Sequence, residues 1–164
     1  MNDTVTIRLA KQAMKFSAAH FTIFSASERE RLHGHNFKVE VDIEAQMLGN
    51  GMCFDYGIYK DSVIALCREL NEWTILPMHS PHLRIEEADG QVIALFNGQR
   101  IPFLRADVLL LPIENATLEE FAAYFLTRLT ADREALHVHR IRAIEVRVFS
   151  GPGQSAGRRL RMAP

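Results

Sequence analysis

Residues 37–45 read Phe37-Lys38-Val39-Glu40-Val41-Asp42-Ile43-Glu44-Ala45, with apolar and charged residues alternating without a break. Side chains along a strand point to opposite faces in turn, so this segment must be a strand with one face buried and one face wet. A helix would scatter the two classes around its circumference. A chain built on such a strand needs a sheet covered on one side, and the cover must come from helices or from a second sheet.

Two amphipathic helices are present to supply it. Asp55 is placed as the N-cap of a helix over Tyr56–Asn71, and Tyr59, Val63, Leu66 and Leu70 form one face at helical spacing. Thr117 with Glu120 makes a capping-box start to a second helix, whose stripe is Phe121, Tyr124, Phe125 and Leu129. A first strand, long enough to bend, is predicted from Thr4 to Ala18. A last strand is predicted over Ile141–Phe149, after which Gly151-Pro152-Gly153 turns the tail away. Between the helices, Asp89-Gly90 and Asn97-Gly98 separate three short strand-like runs, the pattern of hairpin turns. The order β-β-α-β-β-β-α-β predicts a single α+β domain over residues 1–164 with mainly antiparallel pairing.

Composition excludes several function classes. The 164 residues are 48% hydrophobic with a formal net charge of -1, which supports a core and offers no basic surface for nucleic acid or an anionic membrane. No run is long and apolar enough to span a bilayer, and the first residues lack the apolar stretch of a secretory signal. Cys53 and Cys67 lack metal-site spacing and read as reduced thiols, so a cytoplasmic protein is expected.

The seven histidines are the groups that carry chemistry: His20, His33, His35, His79, His82, His137 and His139. In a strand, His33 and His35 share a face, and Gly34 between them adds no side chain. If the first two strands pair, His20 joins them. Three imidazoles with an open fourth position make a zinc site of the catalytic type, although the same ligands also suit nickel, iron or copper. The spacing equally describes polar histidines at a turn. His137-x-His139 repeats it where a solvated helix end is the simpler reading. His79 and His82 lie in a Pro-rich loop, where solvation competes with a role reaching into an active site.

Context adds a second line of inference. Phe16-Ser17-Ala18-Ala19-His20 followed by Leu32-His33-Gly34-His35-Asn36-Phe37 resembles the 6-pyruvoyltetrahydropterin synthase family, which includes the 6-carboxytetrahydropterin synthases. Gly51-Met52-Cys53-Phe54-Asp55-Tyr56 is similar to its G-M-x-x-D-[FY] segment. Asn115-Ala116-Thr117-Leu118-Glu119 is similar to its N-P-T-x-E segment, and Val146-Arg147-Val148 to its last strand. The resemblance spans about Phe16 to Ala156, with central hairpins longer than in compact members. It implies the tunnelling fold (T-fold), a four-stranded antiparallel sheet with two helices on one face, here with an extra hairpin segment. It also implies assembly into a trimer or hexamer with active sites at subunit interfaces. One zinc per subunit, on His20, His33 and His35, would serve a lyase acting on a reduced pterin, 7,8-dihydroneopterin triphosphate.

The metal ligands carry over and the remaining machinery changes. The cysteine that usually precedes the H-G-H motif is missing. One branch of the family places a glutamate there, and Glu30 fills that position in E-x-x-H-G-H, as a proton-transfer base or as part of a solvated run Glu28-Arg29-Glu30-Arg31. The family's Asp-His pair aligns with Asn71 and Glu72, leaving His79 or His82 as substitutes. The pterin-anchoring glutamate is replaced by Phe149 or Ser150, and a hydroxyl is a poorer acceptor than a carboxylate. On the same resemblance, Thr117, Glu119 and Asp55 are assigned to substrate binding. Three functions fit: a pterin-triphosphate lyase using Glu30, a relative that keeps fold and metal but takes another small molecule, and a metal-binding assembly without catalysis.

Overall fold

The computed structural model describes residues 3–163. The alternating segment is the middle of a 14-residue strand, β3 (His33–Gln46), and its five apolar residues are fully buried. β3 is the axis of a seven-stranded sheet. Before it come β1 (Thr4–Leu9) and β2 (Lys15–His20). Both pair antiparallel with β3, β2 with its first half and β1 with its second. The single bent strand predicted for Thr4–Ala18 is therefore two strands laid end to end. Met14 makes the break: its N–H donates to the Lys11 carbonyl at 2.9 Å, its own carbonyl accepts from Val39, and its side chain is buried.

The first helix, α1, spans Gly57–Leu70, one residue inside the expected limits at each end. Tyr56 is its N-cap. Asp55 still satisfies a free helical donor, because its Oδ1 accepts from the Gly57 N–H at 2.9 Å. Next come β4 (Trp73–Pro77), the hairpin strands β5 (Arg84–Ala88), β6 (Gln91–Phe96) and β7 (Gln99–Leu104), and then β8 (Val108–Leu111). The hairpin turns are as the dipeptides require, with Asp89, Gly90, Asn97 and Gly98 all at positive φ. The second helix, α2, is Leu118–Leu129; Thr117 caps it by accepting from the Glu120 N–H. The box is not reciprocal, since the Glu120 carboxylate accepts from the Glu114 N–H at 2.9 Å. A short α3 (Arg133–Val138) leads into β9 (Ile141–Gly151) and β10 (Gln154–Arg161).

Besides the 3-10 turn Arg105–Asp107, four elements were not anticipated: β4, β8, β10 and α3. β4 and β8 are short and apolar, and they join the sheet by parallel pairing, in the order β10-β9-β3-β2-β4-β8. Sequence periodicity cannot separate such runs from buried loop. The tail does not turn away: Gly153 at φ 80° returns the chain so that polar, Arg-rich β10 hydrogen-bonds along β9. The α+β T-fold expectation holds, with a mixed sheet in place of four antiparallel strands.

α1 and α2 cover one face of this sheet, with Phe16 and Phe37 meeting Phe121 and Phe125 at the centre of the core. The opposite face is charged and self-compensating: Arg8 pairs with Asp42, and Arg159 bridges Glu44 and Glu145. β5, β6 and β7 form a separate three-stranded sheet over a second core. No helix among the described residues is long and apolar enough to cross a membrane.

Candidate metal centre

The β2–β3 ladder creates the centre. His20 stands directly opposite His33 in the register, and His35 follows two residues on, on the same face as Phe37. The ligand nitrogens of the three rings lie within 4.8 Å of one another. Gly34 points the other way, and a Cβ there would meet only the Ala18 carbonyl at 3.6 Å, so its lack of a side chain is not what clears the site.

Backbone carbonyls set the tautomers. His20 Nδ1 bonds the Ala116 carbonyl at 2.7 Å, and His33 Nδ1 bonds the Arg31 carbonyl at 2.8 Å. A carbonyl only accepts, so each Nδ1 carries the proton and each Nε2 presents a lone pair. His20 Nε2 is buried without a partner, an arrangement that costs about 1–3 kcal/mol if nothing binds it. His33 Nε2 and His35 Nε2 are 3.1 Å apart. A tetrahedral zinc at ordinary Zn–N distances needs nitrogens about 3.3 Å apart, so the donor set fits a single ion. Burial, with the neighbouring His33 and His35 adding to it, holds His20 below the usual imidazole range against the opposing pull of the Ala116 carbonyl; this favours the neutral ligand form. Phe37 and Phe121 pack their rings against His20 from below.

Glu30 stands beside the triad. Its Oε2 is 3.8 Å from His33 Nε2 and accepts from the Thr22 N–H at 3.0 Å. Its own N–H donates to the Thr22 carbonyl at 2.8 Å. Partial burial works to raise the carboxyl, but the Thr22 bonds and the proximity of His33 and His20 outweigh it and leave Glu30 below the usual range, as a carboxylate. The charge run divides accordingly: Glu28 and Arg31 are exposed, whereas Arg29 and Glu30 are partly buried.

The triad and Glu30 share a cavity of about 440 Å³ with Thr117, Glu119 and Ser150. Walls missed from sequence include Thr22 and Phe24 after β2, and Gln154, Ser155 and Ala156 on β10. Phe24 is 64% exposed at its edge. The other nominated residues lie elsewhere. Asp55 is spent on the start of α1. His79 is exposed, with its N–H on the Ile113 carbonyl at 3.0 Å, and His82 is exposed in the same loop; neither lines the cavity. Asn71 and Glu72 dock α1 onto β2 through the backbone of Ser17. His137 is exposed, but His139 is half-buried and stacks on Phe54 at 5.0 Å, so only the first is a solvated helix-end residue.

Comparison with known proteins agrees with this geometry. Residues 9–159 match the family model for 6-pyruvoyl tetrahydropterin synthase. A Methanocaldococcus jannaschii protein provisionally named 6-carboxy-5,6,7,8-tetrahydropterin synthase is 31% identical over 144 residues, covering 87% of this chain and 88% of its own. The crystal structure of 6-pyruvoyl tetrahydropterin synthase from Plasmodium vivax superposes with a TM-score of 0.91 at 28% identity, over 98% of this chain and 99% of that one. The Plasmodium falciparum enzyme gives 0.92 at 27% identity, over 98% and 100%. With most of its length matched in sequence and its whole fold matched in space, the chain belongs to the 6-pyruvoyl tetrahydropterin synthase family.

Proposed function

We propose that this chain is a zinc-dependent lyase acting on 7,8-dihydroneopterin triphosphate or a closely related reduced pterin. The observation that carries the reading is the convergence of three Nε2-type donors, one of them buried and unpartnered, at the wall of a cavity that also holds Glu30. Zinc bound there would supply a Lewis acid that stabilises the negative charge developing on a substrate side-chain oxygen. Glu30 takes the side-chain proton, oriented by the Thr22 N–H. In elimination, the C–H electron pair becomes a double bond as triphosphate leaves. In side-chain cleavage, the O–H pair becomes a carbonyl as the C–C pair moves into the ring. Glu119 is the carboxylate left on the cavity wall to accept the ring's N–H donors, with Thr117 beside it. Support for Glu30 comes from a P. vivax relative, in which a glutamate is described as a catalytic residue and has been replaced by alanine and by cysteine. The active form is proposed to be a trimer or hexamer in the cytoplasm, in keeping with two buried free thiols.

The test is turnover of 7,8-dihydroneopterin triphosphate by zinc-loaded and chelator-stripped protein. Zinc loading should restore product formation, and Glu30→Gln should lower kcat about 10²–10⁴-fold while retaining the metal. An intact substrate with fully loaded protein refutes the reading. A second reading is favoured by Ser150, which sits on the cavity wall in place of the family's anchoring glutamate: the same metal site serving a different small molecule. A thermal-shift screen decides it, because a pterin that stabilises the protein more than every other metabolite tested eliminates this alternative.

A further inference from the structure

The three-stranded sheet contributes no ligand to the triad and no wall to its cavity. Its buried face, Val92, Ala94 and Phe96 on β6, packs instead against Phe21 and Ile23 in the segment after β2. Those two residues flank Thr22, whose N–H holds the Glu30 carboxylate. The returning arm is tied to the same place. Ile23 and Arg29 form a β-bridge. The Arg29 guanidinium lies 4.9 Å from the Phe21 ring centre and 5.7 Å from that of Phe96, and its Nη1 donates to the Glu30 carbonyl at 2.8 Å. Asn115 closes the other side, accepting from the Ile23 N–H at 3.0 Å and donating to the Ile23 carbonyl at 2.8 Å.

We propose that the β5–β7 sheet is a positioning element for the proton-transfer carboxylate, acting through Arg29 between Phe21 and Phe96 to hold Glu30 against the triad. The proposal rests on the reading of Glu30 given above. Glu30 side chain is 36% exposed, so its own burial does not immobilise it. Its place is set by the backbone on either side, and that backbone is anchored in a core the hairpin sheet supplies. Arginine is required at position 29 because one planar group must lie over an aromatic ring and donate to a carbonyl at once; an ammonium cannot do both in a fixed geometry. Misplacing a reacting group by about 1 Å costs up to about 100-fold in rate.

The test uses the full zinc-loaded chain with Arg29→Lys and Phe96→Leu, each alone and combined with Glu30→Gln. Turnover of 7,8-dihydroneopterin triphosphate and amide hydrogen exchange are both measured. Each single variant should lose about 10- to 100-fold in kcat, with KM and zinc affinity changed by less than about twofold. In the Glu30→Gln background the same substitutions should cost less than about twofold, because the group they position is already gone. Exchange at the Thr22 and Glu30 amides should rise about tenfold or more while β3 is unchanged. An equal loss in the Glu30→Gln background overturns the proposal, as does unchanged exchange at those two amides. If the parent protein turns nothing over but exchange rises as expected, the proposed reaction on this substrate fails and the positioning of Glu30 by the hairpin sheet stands.

Discussion

If the triad holds a metal ion as proposed, removing that ion should cost this protein a measurable share of its stability, on a scale set by mass action. Without an ion, the His20 Nε2 lone pair is buried with no partner, and His33 Nε2 and His35 Nε2 meet only each other at 3.1 Å. An ion that binds the folded chain alone, present at about one hundred times its Kd, adds about 2.7 kcal/mol. For a domain of this length each kcal/mol moves the melting temperature by about 2–4 °C. Zinc added to chelator-stripped protein should therefore raise Tm by about 5–11 °C. Calorimetry of the stripped and reloaded protein measures it, with His33→Ala as the control: that variant should keep its fold, because His33 is partly exposed, and lose the shift. Cobalt in place of zinc should give the visible absorption of a tetrahedral site. A Tm indifferent to metal, or a shift that survives in His33→Ala, would refute the argument that these three nitrogens form one site.

Three other perturbations follow from the packing and the charges. Phe37→Ala should destabilise the domain by about 3–5 kcal/mol in urea unfolding, and should weaken zinc binding although Phe37 is no ligand, since its ring supports both His20 and His35. Asp42 is held below the usual carboxylate range, first by its hydrogen bond to Arg8, against the opposing effect of partial burial. Its contribution is therefore present above the ordinary Asp value and is lost as pH falls through the depressed one, so Arg8→Ala should flatten the acid limb of a stability–pH curve. Burial pushes the Cys67 thiol up to about 12, so it should stay unmodified by a thiolate-selective reagent until the protein is unfolded.

Legibility in the sequence followed the range of the signal. β3, α1 and α2 were readable because each carries a full period of burial in its own residues, and the Asp89-Gly90 and Asn97-Gly98 turns because positive φ selects those side chains. The triad was readable through the residues around it. β4 and β8 face the main core with Ile75 and Leu111 and the second core with Leu76 and Val108, so both faces are apolar and their sequences do not alternate. β10 is mostly polar, with Ala156 and Leu160 its only apolar side chains, and is held as a strand by β9 beside it. Asp55 was assigned on the family resemblance and His79 and His82 from their Pro-rich loop; none of the three lines the triad's cavity, because what places a side chain there is the fold and not its neighbours in sequence.

What the sequence by itself determined was the alternating strand, the helices that cover it, and the identity of the three histidines, all of which depend on neighbours within a few residues. The tertiary structure alone decided that His20 meets His33 across the β2–β3 register. It also decided that the Ala116 and Arg31 carbonyls choose the tautomers, and that Glu30 is held by Thr22. The Ala116 and Thr22 contacts pair backbone groups with residues far along the chain or across a loop. A backbone N–H or carbonyl is the same chemical group in every residue, so no choice of side chain records where it will bond until the chain has folded.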